Sequence, residues 1–301
     1  MLILGSQVLV GFEFMSGFQP GFDRLPSSAQ ELKLLGLGLM LIAVGLLVAP
    51  GAFHQIVEKG NDTPRLIAFT GGIASFALLP FAVGLGIEAY VAGLLVLGGT
   101  PAIVLGLAGM LFALVFWYGM DWAWRARDRM RGTAREEQRV QEPTSLETRI
   151  KQVLTEARVV LPGVQALLGF QLAAMLTDAF EKLPRTSQYV HLASLFLLAA
   201  SMVFLMAPAA FHRIVERGED SERLHRFSGA MVLAALVPLG MGLAGDLYVV
   251  ADKVLNASST AILLALVSLA FFYVLWFGVT VAVRARSDSP RSALQVSRAA
   301  R

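Results

Sequence analysis

Eight uninterrupted apolar runs, each near the roughly 20 residues an α-helix needs to cross about 30 Å of hydrocarbon, constrain what this chain can become. They lie at about 2–22, 34–53, 67–90, 97–121, 161–180, 189–211, 227–250 and 260–283. The runs are continuous rather than alternating, which disfavours barrel strands. Lipid offers no partner to a free backbone group, so each run predicts a helix. Composition agrees, with 56% apolar and 16% charged residues and a mean hydropathy of +0.64. A water-soluble fold of 301 residues could not bury that much apolar surface and still clothe itself in polar groups. A soluble enzyme, a disordered chain and a secreted disulfide scaffold are therefore excluded. With no Cys, disulfides, thiolate metal sites and cysteine nucleophiles are excluded too. The first run has no basic flank, carries Glu13 in its middle and recurs deep in the chain, so it reads as a span rather than a signal peptide.

The chain contains itself twice. APGAFHQIVEKGNDTPRL (49–66) matches APAAFHRIVERGEDSERL (207–224) at an offset of 158 residues. That offset runs without a gap from Gly5/Gly163 to Tyr90/Tyr248. It superposes Gln7 on Gln165, His54 on His212, Arg65 on Arg223 and Pro80 on Pro238. By the fourth run the offset is 159, pairing Trp117-Tyr118-Gly119 with Trp276-Phe277-Gly278. Four spans is an even number, so both copies enter and leave on one side and are parallel repeats. The expected fold is all-α and integral to the membrane: eight transmembrane helices as two parallel four-helix repeats.

The expected divisions are a first repeat at 1–124, a cytoplasmic linker at 125–160, a second repeat at 161–286 and a polar tail at 287–301. Twenty of the 25 Lys and Arg fall in the 54–66 and 212–226 loops, the linker and the stretch after 283. This places both termini in the cytoplasm. Within the linker, Leu146, Ile150, Val153, Leu154 and Ala157 recur at helical spacing, which predicts an amphipathic helix lying on the membrane and leading into the fifth span. The first repeat has no counterpart of it, because Met1 aligns with Val159, so a natural start upstream of Met1 is expected.

EARVVLPGVQALLGFQL (156–172), the Tyr189–His191 stretch and LMAPAAFHRIVERGEDSERL (205–224) carry a resemblance to a bacterial four-span membrane family filed as a domain of unknown function. It covers about 145–250 well, and the first half more loosely, as a diverged copy. The resemblance implies a multi-pass bacterial inner-membrane protein with two tandem copies, and supplies no activity or cofactor. Arg65…Gly71 and Arg223…Gly229 also approximate the Arg-x-x-x-Phe-Ser-Asp signature of a potassium-channel family. Gly replaces the Asp in both copies and the motif lies on the third span of each unit, so this match reads as coincidence.

Glu13 is the most informative residue, since a carboxylate within a span is costly and is a functional candidate by default. Its repeat partner is Gln171, on a face with Asp178. These three form the candidate ion- or proton-binding set, against the plainer reading of Glu13 as interhelical glue. Gln7 and Gln165 lie off that face. Glu88 and Asp246 align at the outer end of the third spans, as a candidate acidic vestibule or as solvated interfacial carboxylates. His54 and His212 align at the inner ends of the second spans, where a headgroup-level His is the simpler reading than a haem ligand. The repeated Glu-[Lys/Arg]-Gly-x-Asp-x-x-Arg loop reads as a tight turn, with Gly at a helix C-terminus and Asp near the next N-cap. No metal site, cofactor, nucleophile–base pair or nucleic-acid platform is expected. The partner is the lipid bilayer, with a homo-oligomer or a membrane-protein partner left open. The chain thus reads as a multi-pass membrane protein without an evident catalytic site, a scaffold or regulatory module. The alternative is permeation of an ion or small solute through the bundle, with Glu13 as the titratable element.

Overall fold

The structure, a computed structural model, describes residues 2–131 and 144–287, with side chains omitted for 120–131. The middle of the expected linker and nearly all of the expected tail lie outside the described residues. Among those described there are helices and turns and no strand. In the first repeat, α1 (Leu2–Ser16) leads through a single 3-10 turn (Phe22–Arg24) to α2 (Ser27–Ile56), α3 (Pro64–Val96) and α4 (Gly99–Arg131). In the second, α5 (Leu146–Met175) leads through a short α6 (Asp178–Glu181) to α7 (Arg185–Ile214), α8 (Glu222–Leu255) and α9 (Ser258–Ser287). α9 passes through a π-helical stretch at Val274–Gly278. The starts of α2/α7 and α3/α8 repeat the 158-residue offset, and α4/α9 start at 159.

Among the described residues, seven helices are long and apolar enough to cross a membrane. α1 is the exception. The span expected over 2–22 ends at Ser16, and 15 residues rise only about 22 Å. Gly17, Pro20 and Gly21 follow, and a proline without an N–H cannot continue the ladder. The expected surface-lying linker helix is also corrected. Residues 146–160 are continuous with the fifth span in one 30-residue helix. Ile150 and Leu154 are buried with Leu224 of α8, and Val153, Ala157 and Val160 enter the main core. The apolar stripe read as facing lipid faces protein.

Local chemistry is repeated along with the elements. At the turn after α2, Lys59 (φ 52°) and Gly60 (φ 81°) are left-handed; after α7, Arg217 (φ 53°) and Gly218 (φ 90°) are the same. The next helix is capped by Thr63 Oγ1 accepting from Leu66 N, and by Ser221 Oγ accepting from Leu224 N. Phe53 stacks on Phe69 with centroids 4.2 Å apart, and Phe211 on Phe227 at 4.3 Å. Arg65 and Arg223 cover the Phe53 and Phe211 rings. In the first turns of α2 and α7, Gln30 and Gln188 donate back to the carbonyls of Phe22/Leu25 and Phe180/Leu183.

Large apolar side chains such as Phe76, Phe112, Phe196 and Leu263 stand exposed on α3, α4, α7 and α9, as lipid-facing residues should. The core lies around α2 and α8, where α1 packs on α5 and α2 packs on α8 and α9. Gly45 makes the last contact possible, since an added Cβ would meet Phe271 at 2.6 Å and Phe272 at 2.9 Å. The buried Trp276 indole N–H donates to the Gly45 carbonyl at 2.8 Å from the π-helical stretch.

Candidate functional site

Each repeat holds a buried polar cluster where its first three helices meet. In the first, Glu13 projects from α1 and is 5% exposed. Lys33, in the second turn of α2 and 6% exposed, places its Nζ 3.1 Å from Glu13 Oε2. The same ammonium donates to Glu88 Oε1 and Oε2 of α3 at 2.7 and 2.8 Å. One cation thus bridges two carboxylates from three helices. A charge taken out of water is costly, and such a geometry offsets the cost only when the partners are close.

The offset of 158 carries Glu13, Lys33 and Glu88 onto Gln171, His191 and Asp246, and the structure assembles these three as well. Gln171 Nε2 donates to Asp246 Oδ1 at 2.5 Å. His191 Nε2 lies 3.1 Å from the Gln171 carbonyl, which can only accept, so this nitrogen bears the hydrogen. The His191 ring stacks on Phe14 of the first repeat at 5.4 Å and meets Phe180 edge-on at 5.0 Å. All three residues are at most 2% exposed.

Glu13 and Glu88, treated as separate candidates from sequence, belong to one cluster, as do Gln171 and Asp246. Asp178 does not join them; it is exposed at the start of α6. Gln7 is buried against Gly163, with neither amide atom hydrogen-bonded, while Gln165 is exposed. Sequence reasoning missed Lys33 and His191, placing the first in a loop and the second at a span end. α2 and α7 begin six residues before each of them, so both lie inside helices. The 158-residue offset was the signal that could have found them, because it aligns three polar positions at once.

At the opposite end of the bundle, His54 Nδ1 bonds Glu156 Oε1 of α5, and Gln55 Nε2 donates to Glu156 Oε2 at 2.7 Å. Arg149 donates to the Lys59 carbonyl at 3.0 Å and to Glu222 at 3.3 Å. Gln152 Nε2 donates to Asp62 Oδ2 at 2.5 Å. His212 Nε2 lies 3.7 Å from Asp220 Oδ1. The inner cluster therefore draws on the first repeat, the leading turns of α5 and Glu222 of α8.

Helices of this length and apolarity, with polar side chains gathered at helix junctions, define an all-helical multi-pass membrane protein. The chain belongs to the Family of unknown function (DUF6328), whose profile matches residues 1–121 and again 141–280, consistent with two tandem copies. No curated protein and no solved structure matches the chain.

Proposed function

We propose that the protein is a non-catalytic, non-conducting membrane module, a scaffold or regulatory element of a bacterial inner membrane. Both termini and the 125–160 linker lie on the cytoplasmic side in this reading, following the placement of Lys and Arg. One observation carries it. The Lys33 ammonium, 3.1 Å from Glu13 and 2.7 Å from Glu88, fills the place between two carboxylates that a permeant cation would need. Beyond it, Phe14, Leu37, Met40, Leu41 and Val44 are buried in the hydrophobic core. The polar groups serve the bundle as interhelical ties.

The experiment is ion flux in proteoliposomes of the full chain, with proton-, sodium- and potassium-sensitive dyes. Wild-type protein is expected to give the leak of empty vesicles. Flux that is abolished by Glu13→Gln would overturn this reading in favour of permeation through the first cluster.

A further inference from the structure

GSQVLVGF (5–12) in α1 and GVQALLGF (163–170) in α5 share Gly, Gln, Gly and Phe at the same four places. The two segments meet inside the chain, but through different positions. An added Cβ on Gly163 would overlap the Gln7 amide, and one on Gly11 would overlap the Phe170 ring. α1 therefore brings Gln7 and Gly11 to the joint, one turn apart on one face, and α5 brings Gly163 and Phe170, two turns apart on another. Helices related by a two-fold axis would bring the same positions from both sides. Here each segment contributes what the other does not, so the joint is head-to-tail.

A head-to-tail joint leaves each half of itself unused once. The unused half on α5 is Gln165 and Gly169, both exposed, on a face that Pro162 and Leu172 continue. The unused half on α1 is Gly5, also exposed, and Phe12, which touches Phe170 with centroids 4.5 Å apart yet stays 57% exposed. An added Cβ on Gly5 or on Gly169 meets nothing within 4 Å. Gln165 is thus an outward-facing amide within the fifth span, where polar side chains almost always face protein rather than lipid. The neighbouring helices show the same imbalance. α2 packs on α8 and α9 across the joint, and α2 and α8 are mostly buried. Their counterparts α7 and α3 are mostly exposed.

We propose that a second copy of this chain completes the joint. α5 of one copy packs on α1 of the next, with Gln165 seated on Gly5 and Phe12 on Gly169, and α7 lies against α3 and α4. The occupant is another copy because one chain carries both unused halves, and each is the complement of the other. Contacts within the joint rise together along α1 and α5, from Gln7/Gly163 to Gly11/Phe170, so the helices run parallel. Every added copy therefore sits the same way up in one membrane, and repetition of the joint closes a ring. The assembly is independent of whether the protein conducts.

The chain has no Cys, so introduced cysteines report the joint directly. Gly5→Cys and Gln165→Cys are placed in separate full-length chains with different tags, co-expressed and oxidised in the membrane. The expected product is a disulfide-linked heterodimer, with no dimer above the Cys-free background from either variant alone. A mixture that stays unlinked overturns the proposal. So does dimer from Gln165→Cys alone at the level of the mixture, which would mean a two-fold joint, or linkage of Gln165→Cys to a different membrane protein instead. Gly169→Leu and Gly5→Leu provide the second arm. Each adds a side chain to open space and is expected to keep the wild-type melting midpoint. Each is also expected to weaken self-association in mild detergent by about tenfold or more, read by native mass spectrometry, because overpacking a close helix joint costs at least about that factor. Wild-type protein that stays monomeric at every concentration overturns the proposal, as does wild-type assembly in both Leu variants.

Discussion

Lys33 is the residue on which the first repeat's polar chemistry turns. Its stem begins within α2, and its ammonium bridges Glu13 and Glu88. Lys33→Met leaves Glu13 buried without its partner, and breaking a buried pair in this way costs about 3–5 kcal/mol. The expected result is a lower melting midpoint in detergent and a lower yield of monodisperse protein. Installing the second repeat's residues, Glu13→Gln with Lys33→His and Glu88→Asp, is expected to recover most of the loss. Failure of the triple variant to exceed Lys33→Met would show that the two clusters are not interchangeable. Lys33 was not legible as a site residue because hydropathy windows treat a lysine as an edge. A window sums along the chain and is blind to the carboxylates that tertiary packing brings from 20 residues before and 55 after.

Glycines decide how closely elements approach. α1 meets α5 at Gly163, where an added Cβ would overlap Gln7 and lie 2.7 Å from its Cβ, an atom that cannot swing aside. Gly163→Ala is therefore expected to destabilise by about 1–3 kcal/mol, the range for overpacking. Gly21→Ala, where the added Cβ meets nothing within 4 Å, is the matched control, and thermal melts separate the two. At the π-helical stretch, Trp276→Phe removes the indole N–H donated to the Gly45 carbonyl and is expected to cost about 1 kcal/mol. The helices themselves were readable from apolar run length, and their pairing in register from the repeat. The ends were not. α1 stops early at Gly17, and α5 begins 15 residues before its apolar run, because Leu146 to Ala157 pack on α8 and the core rather than on lipid. Amphipathic spacing reports that a face is covered, and is silent about what covers it.

At the scale of the molecule, the parallel arrangement of the repeats makes a topological prediction that the absence of native Cys renders easy to check. Single cysteines at Glu147 and Glu219 are expected to react with an impermeant maleimide from one side of the membrane only. Cysteines at Gln19 and Ser259 are expected to react only from the other. Labelling of Gln19→Cys and Ser259→Cys from opposite sides would contradict parallel repeats. The repeat was legible because its offset is nearly constant over the whole unit. What the offset alone did not show is that the leading turns of α5, which α1 lacks, carry Ile150 and Leu154 onto Leu224 of α8.

The two polar clusters occupy matching positions yet differ in kind, Glu–Lys–Glu in one and Gln–His–Asp in the other. Had the units stayed separate, identical chains, every assembly would carry a single set used twice, and any replacement would strike both places together. Joining them in one polypeptide removes that coupling. One half can keep an ionic knot while the other settles for a neutral or singly charged one, so each becomes free to specialise without its twin.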